Sequence, residues 1–146
     1  MAKGHAPEHV AYLQRYTRDL ASRLGLSDWE ITVSAEFSGD TAEASTWLPH
    51  AQPRATIRLG DCFTSHTPKY QREIVVHELL HIHLNPVNRV FELLEGQLPP
   101  PMYAYVRAMY DERQDFALDS LAPHIAQFMP ELRLPVLETE EGEEML

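Results

Sequence analysis

With a single cysteine in 146 residues, Cys62 has no partner for an internal disulfide, which fits a reducing cytosol. Cys62 itself reads as a small buried apolar residue. The first residues, Met1-Ala2-Lys3-Gly4-His5-Ala6-Pro7-Glu8, lack the apolar core of an export signal. Nor does any run approach the ~18 apolar residues of a membrane span. The expected location is therefore the cytoplasm, with no membrane as partner. Positive charge is scarce as well: 12 Lys and Arg stand against 22 Asp and Glu, a net charge of −10. A nucleic-acid binder needs a basic footprint, and none is present, so nucleic acid is not an expected partner. The stretch from Glu131 to Leu146 holds six acids and one arginine and supplies −5 of that charge; the rest is only mildly acidic.

An apolar fraction of 44% is ordinary for a soluble globular chain, and this length normally makes one domain with a core of its own. Val10, Leu13, Thr17, Leu20 and Leu24 recur at helical spacing from Pro7, with Gly25 as a stop. Trp29, Ile31, Val33, Ala35 and Phe37 alternate with Glu30, Thr32, Ser34 and Glu36, the mark of a half-buried strand. After the turn signal Ser38-Gly39-Asp40, a weaker strand covers Glu43 to Leu48. Pro49-His50-Ala51-Gln52-Pro53 reads as a loop, and Ala55, Ile57 and Leu59 mark a third strand ending at Gly60-Asp61. Thr67-Pro68 then opens a helix to Leu84, Asn85-Pro86 opens a second that Gly96 and Pro99 stop, and a third covers Met102 to Ala122, ended by Pro123. The expected architecture is α+β: a small three-stranded, mostly antiparallel sheet packed on helices. Residues 1–130 form one domain in this reading, and 131–146 form a flexible acidic tail.

His77-Glu78-Leu79-Leu80-His81 places two imidazoles and a carboxylate within one turn of the central helix. His77 and His81 fall about 40° apart around the axis and about 6 Å apart along it, so both ring nitrogens reach one ion. Glu78 lies about 60° from His81, short of the metal but placed to hold a water. Ile74, Val75, Val76, Leu79, Leu80 and Leu84 surround these groups, so the helix is apolar nearly all round and belongs in the core. Zinc satisfies both buried imidazoles at once. His83 falls about 160° from His81 and cannot join the same ion.

A catalytic zinc takes a third protein ligand and keeps a fourth position open. The last helix presents Tyr105, Met109, Glu112, Asp115, Phe116 and Asp119 within about 60° of one direction. Glu112 completes a His-His-Glu site on this reading, with Asp115 or Asp119 bonding a ligand histidine. Asp115, one turn on, remains open as the third ligand instead.

The His77–His81 motif, followed about thirty residues later by Glu112-Arg113-Gln114-Asp115-Phe116-Ala117-Leu118-Asp119-Ser120-Leu121-Ala122-Pro123, resembles the gluzincin metallopeptidases. It looks most like the small ImmA/IrrE-type family and related phage-encoded domains. That family carries a glutamate four residues before a Phe-Ala pair, then an acid-Leu-Leu-x-Pro ending. Glu112 stands four before Phe116-Ala117, and Asp119, Leu121 and Pro123 are in register. The likeness covers roughly Trp29 to Pro123; Arg113-Gln114 depart from the family's Ala-Asn, and the DNA-binding domain often attached there has no counterpart among these residues.

The resemblance implies a zincin-like fold and hydrolysis of peptide bonds in a protein or peptide substrate. Zn2+ would be held by His77, His81 and Glu112, with Glu78 as general base on a zinc-bound water. Tyr70, Tyr105, Tyr110 and His124 are candidate donors to the oxyanion. The weak second strand would be a sheet edge able to pair with an extended substrate. The alternative is a non-catalytic zinc-binding structural or interaction protein of phage or prophage origin.

Overall fold

The computed structural model describes residues 4–39, 42–49 and 52–138. Asp40, His50, Ala51 and the tail from Thr139 lie outside the described residues, so the turn, loop and tail readings are untouched there. The elements run α1 (Pro7–Arg23), β1 (Glu30–Phe37), β2 (Ala44–Trp47), β3 (Arg54–Leu59), a 3-10 turn (Phe63–Ser65), α2 (Pro68–His83), α3 (Asn85–Leu94) and α4 (Pro100–Ala126). Gly25 ends the first helix region at φ +79°, a conformation costly for any residue with a Cβ.

The sheet is mixed, not mostly antiparallel. Its order is β1-β3-β2, with β3 parallel to β1 and antiparallel to β2. β2 runs against both of its sequence neighbours, so β1 and β3 point the same way. β3 takes the centre because Ala55, Ile57 and Leu59 are buried, whereas the four-residue β2 is only half-buried and suits an edge. The outer edge of β1 is closed locally. The Gln14 amide donates to the Ile31 carbonyl at 2.7 Å and accepts from the Val33 N–H at 2.8 Å, and His5 N–H donates to Ala35 at 2.7 Å. Among the described residues β2 pairs with β3 alone.

One sheet face carries the core. Ile31, Val33, Ile57 and Leu59 meet Leu13 and Leu20 of α1 and Val75, Val76 and Leu79 of α2. The opposite face bears the exposed Arg54–Glu30 and Arg58–Glu36 pairs, which add little stability. α4 packs along α2, and its Ala122 and Ala126 join the same core. Among the described residues no helix is long and apolar enough to cross a membrane.

Three expectations need correction. Pro123 lies inside α4, which continues to Ala126 because buried Ala122 and Ala126 hold the last turn on the core. Cys62 is exposed, since Phe63, the next residue, takes the buried position. The domain also extends beyond residue 130: Leu132 is 1% exposed within the core, and Met129 and Leu134 pack against it. Arg72 donates to the Met129 carbonyl at 3.0 Å, the Tyr16 hydroxyl to that of Pro130 at 2.6 Å, and Arg133 N–H to the Tyr12 hydroxyl at 2.6 Å. The acidic composition of the tail hid this alternation of leucines with Glu131 and Arg133. Leu132→Ala is therefore expected to cost about 2–5 kcal/mol in urea unfolding. A change under ~0.5 kcal/mol would mean the strap adds nothing to the fold.

Candidate metal centre

The site is built on the most buried helix. Thr67 caps α2 by accepting from the Tyr70 N–H at 3.2 Å, and Pro68 occupies the first turn. Gln71, Ile74, Val75, Val76, Leu79 and Ile82 are buried around it, which fixes the rotation of the helix. That rotation turns His77 and His81 toward α4, with their Nε2 atoms 3.1 Å apart. His83 points elsewhere: its Nε2 bonds the Leu24 carbonyl at 2.7 Å, just past the end of α1.

α4 delivers two carboxylates to the histidines. Asp115 Oδ1 lies 3.2 Å from His81 Nε2 and 3.5 Å from His77 Nε2, and Asp119 Oδ1 lies 3.0 Å from His77 Nδ1. Two imidazole nitrogens and one carboxylate oxygen thus form a triangle with edges of 3.1, 3.2 and 3.5 Å. Tetrahedral zinc with N and O ligands at about 2.0–2.1 Å needs ligand atoms about 3.3–3.4 Å apart. The triangle fits, and this donor set also serves other first-row divalent ions. The ligand-type atoms of His77, Glu78 and His81 also fall within 4.8 Å of one another. Asp115 Oδ1, within 3.5 Å of both histidine Nε2 atoms, could supply the third ligand atom.

The structure does not bring Glu112 to the histidines. It is exposed and does not line the cleft around them. The helical wheel left Glu112, Asp115 and Asp119 in one sector, and the level of crossing separates them. α4 meets α2 in the opposite sense, so Asp119 sits against His77 and Asp115 against His81. Glu112 lies about 4.5 Å further along its axis, level with the end of α2. A signal was available: His77 and His81 are four apart, and only Asp115 and Asp119 among those three acids match that spacing.

Glu78 is 5% exposed, and Thr46 of β2 donates its hydroxyl to Glu78 Oε2. Burial pushes the Glu78 carboxyl above the ordinary carboxylate range, while the Thr46 hydroxyl and His77 act against that rise. Burial and the neighbouring His77 push His81 below the ordinary imidazole range, which favours the neutral form that binds metal. Sequence reading missed Thr46, a polar residue on a short, weakly patterned strand.

A cleft of about 680 Å³ opens over these groups, with β2 on one side and α4 on the other. Of the four proposed oxyanion donors it takes in Tyr70 alone. Tyr105 is exposed, Tyr110 stacks on Phe91 with ring centres 4.1 Å apart, and neither they nor His124 line the cleft. Comparison with protein-family models, with curated proteins and with solved structures found no match.

Proposed function

We propose that this chain is a zinc-dependent metallopeptidase of zincin-like design, with His77, His81 and Asp115 holding the ion and Glu78 acting as general base. The observation that carries the reading is the His77–His81–Asp115 triangle of tetrahedral dimensions beside a buried, raised-pKa glutamate. When bound, zinc polarises a substrate carbonyl and lowers the pKa of water toward ~7.

Glu78 then has two tasks. Its carboxylate takes a proton from the attacking water, and the carboxylic acid so formed gives that proton to the nitrogen of the departing amine. Burial suits both steps, since it makes Glu78 a stronger base than a solvated carboxylate. Asp119 holds His77 through Nδ1, fixing the tautomer that leaves Nε2 free for metal. The outer edge of β2, where Ala44, Ser45 and Thr46 line the cleft, pairs with an extended segment of substrate. The Tyr70 hydroxyl, protonated at neutral pH like any phenol, is a hydrogen-bond donor facing the same space. Away from the metal, Glu43, Glu73, Glu92 and Asp111 outnumber Arg107 on the cleft walls, which favours substrates carrying Lys or Arg.

Zinc-loaded protein incubated with unfolded, lysine-rich protein substrates is expected to yield discrete fragments by mass spectrometry. Chelation should stop the cleavage and added zinc restore it. One zinc per chain with no cleavage of any substrate would reduce the metal to a tie between α2 and α4. Asp119→Asn is expected to weaken zinc binding about 10–100-fold in competition with a chromogenic chelator. Unchanged affinity would show that Asp119 does not orient His77.

A further inference from the structure

A buried glutamate on a helix has three side-chain torsions and two carboxylate oxygens to place. For proton transfer one oxygen must face the reacting water, and the other must find a donor or remain buried without one. The structure supplies that donor from a different element. The Thr46 hydroxyl bonds Glu78 Oε2, and the Glu78 main-chain carbonyl oxygen lies 3.4 Å from the same hydroxyl. Thr46 is also part of the cleft wall formed by β2.

We propose that Thr46 is the positioning residue of the general base: its hydroxyl holds Glu78 Oε2 so that Oε1 faces the reacting water. The inference rests on the peptidase reading and deepens it. Thr46 is fixed in turn by the ladder, where it pairs with Ile57 of the central strand. The aim of the base is therefore set by the strand that receives the substrate, and not by the helix that carries Glu78. A segment of substrate pairing with β2 steadies the strand and, through Thr46, the carboxylate. Valine at this position keeps the shape and the strand preference and deletes the donor; serine keeps the donor.

The test uses the zinc-loaded 146-residue chain with Thr46→Val and Thr46→Ser. Thr46→Val is expected to lower kcat on the order of tenfold or more, the effect of losing one hydrogen bond to a charged group. KM, zinc content and thermal midpoint are expected to stay near wild type, and Thr46→Ser to recover most of kcat. In the metal-free protein, NMR is expected to show a slowly exchanging Thr46 hydroxyl proton that Glu78→Ala abolishes. A Thr46→Val kcat equal to wild type overturns the proposal, as does failure of Thr46→Ser to rescue, or a Thr46 hydroxyl that exchanges freely. A fall in kcat matched by an equal loss of zinc or of stability makes Thr46 a structural tie and also overturns it. A wild type that binds zinc yet cleaves nothing removes the peptidase reading and this role with it. That outcome is distinct from an active wild type with an equally active Thr46→Val.

Discussion

Asp115→Ala is expected to abolish stoichiometric zinc, whereas Glu112→Ala keeps about one zinc per chain. The two carboxylates stand on the same helix and both are exposed, so bulk charge changes equally in the two variants. What differs is reach. Asp115 Oδ1 lies within 3.2–3.5 Å of both histidine Nε2 atoms, the separation that a shared ion requires. Glu112 stands near the end of α2, away from the pair. Removing a first ligand from a three-ligand site should raise the zinc dissociation constant well beyond the 10–100-fold of a supporting residue such as Asp119. Elemental analysis after dialysis against a weak chelator reads the difference directly. The reverse order, with Glu112→Ala losing metal and Asp115→Ala keeping it, would restore the ligand implied by the family resemblance. The metal site would then need α4 to slide by about one turn along α2.

The contrast between these acids shows what was legible in the residues and what was not. Local patterns carried far: Thr67 caps α2 as read, Gly25 stops α1, and a strand does run from Glu30 to Phe37, though its buried alternation holds only at Ile31 and Val33 and is lost at exposed Ala35, within a shift of register. His77, Glu78 and His81 are local too, since one helical turn sets their mutual geometry. Everything that failed depends on relations between elements. A wheel gives a direction around α4 but not the level at which α4 crosses α2, so it could not separate Glu112 from Asp115. Strand alternation does not give strand order, so the central place of β3, and with it the parallel β1–β3 pair, was hidden. Composition hid the strap: Glu131 and Arg133 on either side of Leu132, in an acidic tail, masked a leucine that is only 1% exposed. Thr46 was silent for the same reason, because the bond from a threonine on an edge strand to Glu78 exists only once β2 and α2 are packed together.

Glu78→Gln is expected to keep one zinc per chain and lower kcat/KM about 10²–10⁴-fold, the usual worth of general acid–base catalysis. Glutamine has nearly the same shape, and its amide oxygen still accepts from Thr46, so β2 and α2 stay tied as in wild type. The three atoms of the metal triangle belong to other residues and are untouched. What disappears, on the proposed mechanism, is the capacity to take a proton from water and return it to the departing nitrogen. The wild-type carboxyl is suited to that exchange because burial raises its proton affinity, while Thr46 and His77 keep the rise in check. Zinc analysis and initial rates on one preparation separate the two functions. If zinc and rate fell together, Glu78 would belong with the ligands; if neither fell, the proton would travel by another group. Only retained metal with lost turnover assigns Glu78 the base's role and divides the site into residues that hold the ion and one that moves the proton.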